Sequence, residues 1–505
     1  MSDLKVLFRT DATSAIGTGH FMRCLTLAEE LKQRGAHICF VSRELPAHLR
    51  DMLAAKEIEF AALDREATDE QAGVLAHSHW LGISQIQDAQ ATIRALEGRL
   101  WDWLVVDHYA LDADWESALR GMAKKIMVID DIADREHDCD VLLDQNFYAD
   151  MQTRYTGKVP LHCELLLGPC YALLRDEFRK LREQVKPRTR VVNRILVFFG
   201  GVDADNYTGK AIEALSEIDI RGVDVDVVIG ARHPCLEEIK AVCVQQGFIC
   251  YVQTDRMAEL MAAADLAIGA GGTATWERCC LGLPTLVFCT ADNQQKQLAD
   301  AAREGLLYSP EITVDLNQAI QKHTSALIEN ASLRGLISRN SMQAVNGRGV
   351  LRVVAKLGIS DIEIRMASPD DSLNLFQWRN HPSIREVSRN TKEIDWPDHL
   401  RWFDSVLANP EKMLLIGRRS ESPVGVVRFD KQNDEVEISI YVVPEKATSG
   451  MGQNLLQSAE QWLAANHPEI RKIRAHVLGP NERSQRLFSG AGYQIESAYY
   501  LKRLH

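Results

Sequence analysis

Short apolar runs alternate along the first half of the chain with stretches whose apolar positions return at helical spacing. Lys5-Val-Leu-Phe-Arg9, His37-Ile-Cys-Phe-Val41, Trp103-Leu-Val-Val-Asp107 and Lys125-Ile-Met-Val-Ile-Asp130 predict strands. Between the first two, Phe21, Cys24, Leu25, Ala28 and Leu31 share one helical face, and Gly35 supplies a stop. Such alternation predicts a parallel sheet with helices on both faces. After the charged, proline-containing link Lys186-Pro-Arg-Thr-Arg190 the pattern restarts. Arg194-Ile-Leu-Val-Phe-Phe-Gly-Gly201, Val223-Asp-Val-Asp-Val-Val-Ile-Gly230 and Ala264-Asp-Leu-Ala-Ile-Gly269 each run a strand into glycine, so a second α/β unit is expected. Two such lobes leave a cleft at the carboxyl ends of their strands, where open α/β sheets bind ligands.

The helical tail is expected to end near Asn346-Gly-Arg-Gly349, with Leu357-Gly-Ile-Ser-Asp361 as a linker. The C-terminal stretch differs in kind. Val424-Gly-Val-Val-Arg-Phe429 and Val436-Glu-Ile-Ser-Ile-Tyr-Val442 predict adjacent antiparallel strands. A glycine loop, a helix from Gln453, the strand Lys472-Ile-Arg-Ala-His-Val477, a short helix and a last strand come after. On the second of these strands, Val436, Ile438, Ile440 and Val442 point to one face and Glu435, Glu437, Ser439 and Tyr441 to the other. The expected boundaries are 1–188, 189–357 and 362–505, and a length of 505 residues fits about three folding units.

Composition narrows the function classes. With 46% apolar and 25% charged residues the chain reads as soluble and globular. A net charge of −12 argues against a nucleic-acid partner, which needs a basic face. No uninterrupted apolar run reaches a membrane span, and the first residues carry no apolar signal region, so a cytoplasmic location is expected. All eleven cysteines lie between Cys24 and Cys289 without a C-x-x-C pair, which is no disulfide framework. His77-Ser-His79 has no Cys, Asp or Glu at ligand spacing, so a solvated loop pair is expected, and no metal.

Three loops carry candidate chemistry. Gly17 and Gly19, between the first strand and first helix, let the backbone approach a ligand, and the helix start favours an anion. Met22 stands where the dinucleotide fingerprint has its third glycine. His20 can act as a base near neutral pH. Asp107 and His108 end a strand at the cleft edge, fit to orient a sugar or His20, or to serve as structural hydrogen-bonding groups. In the second lobe, Gly200, Gly201 and the run to Asn206 predict a phosphate cradle of backbone N–H groups. Gly271, Gly272 and Thr273 repeat the device and lead to Glu277, whose carboxylate can accept ribose hydroxyl protons. Glu437 is a candidate base for an attacking amine, its alternative being an exposed polar face.

The run Gly17-Thr-Gly-His-Phe-Met-Arg23 resembles the G-x-G-H-x-x-R signature of the UDP-sugar hydrolase of pseudaminic acid biosynthesis, a GT-B relative. Val106-Asp-His-Tyr109, Asp130-Asp-Ile-Ala-Asp-Arg135, Leu143-Asp-Gln-Asn146 and Leu167-Gly-Pro-Cys-Tyr-Ala-Leu-Leu-Arg175 extend the resemblance in order. It implies that His20 activates water at the anomeric carbon and that Glu277 holds the uridine ribose. It also implies that Asn293 and Gln294 reach the diphosphate and sugar. The C-terminal loop Gly450-Met-Gly452, with Gln453 and the later run from Asn481 to Tyr493, resembles the GNAT acetyltransferases. Those enzymes hold the acetyl-CoA pyrophosphate on that loop. Trp378-Arg-Asn-His-Pro382 and His399-Leu-Arg-Trp402 look like the sugar-nucleotide N-acetyltransferase of the same pathway.

Two positions depart from that pattern. Ala447 replaces a Gln or Arg before the loop, and Phe488 replaces the tyrosine proposed to protonate the leaving thiolate. Solvent or a hydroxyl such as that of Tyr493 would then supply the proton. The resemblance thus implies two Rossmann-like lobes in a GT-B arrangement, a GNAT domain, UDP-sugar substrates and acetyl-CoA as co-substrate. Its implied reactions are hydrolysis of UDP-2,4-diacetamido-2,4,6-trideoxy-β-L-altropyranose and N-acetylation of the UDP-4-amino-sugar precursor. The rival reading is a GT-B glycosyltransferase with a degenerate CoA-binding regulatory module.

Overall fold

The structure, a computed structural model, describes residues 4–13, 15–64, 75–291, 294–312, 315–359, 362–388, 390–419, 422–446, 451–477 and 481–495. Leu4–Gln33 and His37–Val353 form one compact unit, and the residues from Val354 onward belong to a second.

The first unit contains two parallel sheets. One comprises Lys5–Thr10 (β1), His37–Ser42 (β2), Glu59–Ala62 (β3), Trp101–Asp107 (β4), Ala123–Ile129 (β5), Val141–Asp144 (β6) and Glu164–Leu167 (β7), in the order β3-β2-β1-β4-β5-β6-β7. The other comprises Arg194–Phe198 (β8), Asp224–Ile229 (β9), Ile249–Val252 (β10), Leu266–Ala270 (β11) and Thr285–Phe288 (β12), in the order β10-β9-β8-β11-β12. The strands β1, β2, β4 and β8 are apolar almost throughout because helices cover both faces of each sheet. In both sheets the order reverses beside the first strand, between β1 and β4 and between β8 and β11. The chain leaves opposite ways at such a point and opens a crevice at the strand ends. The loops carrying His20 and Asp107 leave one crevice, and the Gly200 and Gly271 loops leave the other.

The helix predicted from Phe21 is Gly19–Gln33, and all five residues of the expected face are buried. The helical tail does not end at Asn346–Gly349. Gly347 makes a left-handed turn at φ 74°, and a further helix, Gly349–Lys356, buries Val350, Leu351, Val353 and Val354. The linker expected from Leu357 therefore comes directly after a helix.

The second unit is built on Glu363–Met366 (β13), Lys412–Arg419 (β14), Ser422–Gln432 (β15), Glu435–Val442 (β16) and Lys472–Ala475 (β17). Neighbours are antiparallel except β16 and β17, which run parallel. Met413 and Leu415 of β14 face the helix Met451–Asn466, while Leu414 and Ile416 face a smaller core with Leu375 and Phe403 from the helices Ser372–Asn380 and Trp396–Leu407. Leu455 seats on the paired Gly417 and Gly425, where an added Cβ would stand 2.3 and 2.1 Å from its methyl carbons. The last predicted strand lies outside the described residues. Among the described residues no helix is long and apolar enough to cross a membrane.

Candidate active site

At the first crevice, His20 occupies the first turn of its helix and Asp107 ends β4. His20 Nδ1 lies 2.6 Å from Asp107 Oδ1, with the histidine nearly and the aspartate fully buried. Arg23, one helical turn after His20, donates from Nε to Asp107 Oδ2 at 2.6 Å and from Nη2 to Oδ1 at 2.7 Å. Burial pushes the Asp107 carboxyl up, but the Arg23 guanidinium and His20 overcome it and hold it well below the usual carboxylate range. An ionised carboxylate at 2.6 Å requires a proton on Nδ1. In the neutral ring that leaves the lone pair on Nε2, the tautomer a general base needs. Tyr109 sets its ring edge-on to His20, centroids 4.6 Å apart, and Trp80 stacks on Tyr109 at 5.4 Å.

His108 turns the other way. Its Nδ1 accepts from the Ala110 N–H at 3.1 Å and its Nε2 lies 3.2 Å from Asp11 Oδ2, beside a buried Arg9 held by Asp11 and Asp88. Burial lowers its pKa, so it is a neutral structural group under the loop. His77, expected as a solvated loop residue, is half-buried against Trp80 and Tyr109, ring centroids 4.6 and 5.3 Å away, because those rings line the wall beside His20; His79 also stands near Trp80. Among the described residues no group of three or more His, Cys, Asp or Glu is arranged to hold a metal ion. All eleven cysteines are free thiols.

At the second crevice the two glycine loops differ. Beyond Gly200 and Gly201, the helix Tyr207–Ser216 is capped by the chain itself. Asp203 accepts from the N–H groups of Tyr207 and Thr208 at 2.9 and 2.7 Å, and Asn206 accepts from Gly209 at 3.0 Å. Asn206 thus serves as an N-cap, and those helix donors are already engaged. The helix Thr273–Cys280 instead starts from Gly272, at φ 86°, and among the described residues no side chain caps it, the geometry that favours an anion. Gln294 closes over it: an added Cβ on Gly271 would stand 2.7 Å from Gln294 Oε1, a buried acceptor with no hydrogen-bond partner. Burial raises the Glu277 carboxyl, and Arg175 lies 3.8 Å away. Asn293 lies outside the described residues.

In the second unit, Glu437 lines a cavity of about 460 Å³ together with Tyr441, His476, Asn481, Ser484 and Phe488. The polar face of β16 therefore opens on a partly covered cleft, because residues of the helices Ser372–Asn380 and Trp396–Leu407 line it from that side of the sheet. The pairing of β16 with β17 stops at Ile438 and Ala475 although β16 continues to Val442. Met451 is buried in the core, Gly452 comes next in the first turn of the helix, and Gln453 is exposed. Gly450 and Ala447 lie outside the described residues. Asn481 caps the helix Glu482–Gly490 by accepting from the Ser484 N–H at 3.1 Å. Tyr493 is no free proton donor for this cavity: its hydroxyl donates to Glu460 Oε1 at 2.7 Å, and burial with that carboxylate raises its pKa far above the usual phenol value.

Two doubly wound lobes thus carry, at their switch points, a His–Asp pair and a glycine-led helix, and the second unit is built on a five-stranded mixed sheet. Residues 374–493 match the acetyltransferase (GNAT) family. The whole chain is similar to an uncharacterized protein of Methanocaldococcus jannaschii, 24% identical over 97% of each chain. It is also 24% identical to the UDP-2,4-diacetamido-2,4,6-trideoxy-β-L-altropyranose hydrolase of Campylobacter jejuni, over 60% of this chain and 97% of the relative. It is 27% identical to the acetyltransferase PseH of the same species, over 26% of this chain and 85% of the relative. The chain therefore joins a region like that UDP-sugar hydrolase to a GNAT domain.

Sequence reasoning does not single out Arg23, Tyr109, Asp131 and Asn146 as functional positions. All four stand in the runs that carry the resemblance, which is the available signal. The contacts that tie Asp131 and Asn146 to Arg23, and so to Asp107 and His20, are visible only in three dimensions.

Proposed function

We propose that the first unit hydrolyses a UDP-linked 2,4-diacetamido-trideoxyhexose to UDP and the free sugar, and that the GNAT domain acetylates the 4-amino precursor from acetyl-CoA. The observation that carries the first reaction is the His20–Asp107 pair at the switch point. His20 Nε2 takes a proton from water, the hydroxide equivalent attacks the anomeric carbon, and the carbon–oxygen bond to UDP breaks. The charge left on the diphosphate falls to the Gly272–Thr273 helix start, with Gln294 beside it, and Glu277 accepts the ribose hydroxyl protons. The proton on His20 returns to solvent.

In the second reaction the amine attacks the thioester, Glu437 takes its proton directly or through water, and CoA leaves as thiolate. With phenylalanine at position 488 and Tyr493 tied to Glu460, solvent protonates the thiolate. Acetyl-CoA binds at the start of the helix Met451–Asn466, with Gly450 to Gln453 as its loop. The boundaries 1–188, 189–357 and 362–505 divide these tasks. Since hydrolysis discards UDP, acetylation comes first if the acetyltransferase reads the nucleotide.

The reading is tested by incubating the protein with the UDP-4-amino sugar, with and without acetyl-CoA, and following UDP and sugar mass. UDP released with acetyl-CoA alone present supports it. A glycosyltransferase would release UDP only when an acceptor is added, and a regulatory module would bind CoA without turnover.

A further inference from the structure

One carboxamide stands between the two lobes of the first unit. Asn146 Oδ1 accepts from Trp276 Nε1 at 2.8 Å and from Gln297 Nε2 at 3.1 Å, and both partners belong to helices of the second lobe. An indole N–H only donates, so the oxygen of the carboxamide must be the end that faces Trp276. The nitrogen then turns to the first lobe, where Nδ2 donates to Asp131 Oδ2 at 3.2 Å. The same Oδ2 accepts from Arg23 Nη1 at 2.8 Å. Arg23 grips both oxygens of Asp107, and Asp107 holds His20. Trp276 adjoins Glu277 on the helix whose open N-terminus lies at the second crevice.

We propose that Asn146 is a positioning residue: the nucleotide-binding lobe sets its carboxamide, and the carboxamide holds Asp131, hence Arg23 and the carboxylate that aims His20. This rests on the hydrolase reading. It adds that the base takes its working orientation only when the Thr273–Cys280 helix is seated against the first lobe, which links the diphosphate site to the water-activating group. The segment after Asn146 is fastened to the second lobe as well, through the Ala149 N–H to Asp300 at 3.0 Å and Asp150 to Lys296 at 2.5 Å. Asn146 can therefore be altered while these contacts keep the lobes docked.

Asn146→Asp isolates the donor. The variant still accepts from Trp276 and Gln297 but faces Asp131 with an oxygen. The full-length protein is assayed for kcat and KM on the UDP-sugar and for UDP affinity by calorimetry. The expected result is a kcat lower by about ten- to a hundredfold, as misplacing a catalytic group produces. KM and UDP affinity stay within about threefold, since the lost interaction is one made in the transition state. Combining Asn146→Ala with Asp131→Ala costs no more than Asp131→Ala alone, because both act through one carboxylate. An unchanged kcat, a parallel loss of UDP affinity, or multiplying effects in the double variant would each overturn the proposal. Wild-type protein that released no UDP would sink the hydrolase reading alone. The positioning claim would then be read from the His20 ring signals in NMR: displacement in Asn146→Asp supports it, and unmoved signals overturn it.

Discussion

The Nδ1 atom of His20 lies 2.6 Å from Oδ1 of Asp107, across a separation of 87 residues, and Arg23 closes the pair from the other side. A short bond to an ionised, buried carboxylate fixes the ring's tautomer and rotation together. The first expected outcome comes from that constraint. His20→Ala lowers the rate of UDP release by about 10²–10⁴, the usual worth of a general base. Asp107→Asn lowers it too, since an amide can present its N–H to Nδ1 and move the proton to Nε2. UDP affinity in both variants, measured by calorimetry, stays within a few-fold, because the proposed nucleotide contacts are on the other lobe.

In the proposed reaction Glu277 holds the ribose. Glu277→Ala should weaken UDP by roughly ten- to a hundredfold, the range for hydrogen bonds to a charged group of about 1.5–3 kcal/mol. The same variant should bind UDP and its 2′-deoxy analogue alike, whereas the wild type prefers UDP. Equal affinities of the two ligands for the wild type would remove Glu277 from the ribose site.

Asp144, buried at the end of β6, has its carboxyl pushed up to about 8, first by burial and then by the nearby Asp131 charge. In the unfolded chain it ionises near about 4. Between those values the folded state holds a proton that the unfolded state has lost, so this group's contribution to stability falls as pH rises from about 4 to 8 and levels off above. Asp144→Asn carries no such titration. Its melting temperature relative to wild type should become more favourable as pH rises across that window, and a pH-independent difference would refute the assignment.

The acetyl transfer reading predicts opposite effects at two positions lining one cavity. Glu437→Gln should reduce the rate of CoA release by about 10²-fold or more through the lost base. Phe488→Tyr adds a hydroxyl where the cavity is closed by Phe488 and should raise that rate, because the thiolate gains an acid nearer than solvent. A thiol-detection assay reads both; a Phe488→Tyr variant no faster than wild type would mean that protonation does not limit the reaction.

Much of this architecture is a local property of the chain. The helical spacing from Phe21 to Leu31 and the apolar runs of β1, β2, β4 and β8 are periodicities that burial of one face or two imposes, so they can be read without a partner. Glycine after a strand likewise marks a crevice loop wherever it stands. Short strands such as Glu59–Ala62 and Val141–Asp144 carry too few positions for a period and emerge only from their parallel neighbours. Which glycine loop presents free helix donors was not a matter of glycines either. Asp203 and Asn206 cap one helix, and among the described residues no side chain caps the other.

The long-range pairings belong to the tertiary structure alone. Asn146 and Trp276 are 130 residues apart, and their bond depends on how two independently wound sheets dock. Alternation placed Glu437 on the polar face of its strand, but only the packing of two helices over that face turned it from surface into the wall of a cavity. Sequence spacing determines which way a side chain leaves its own element; what it meets there is decided by elements that fold from elsewhere in the chain, because hydrogen bonds and burial act over a few ångströms whatever the separation along the backbone.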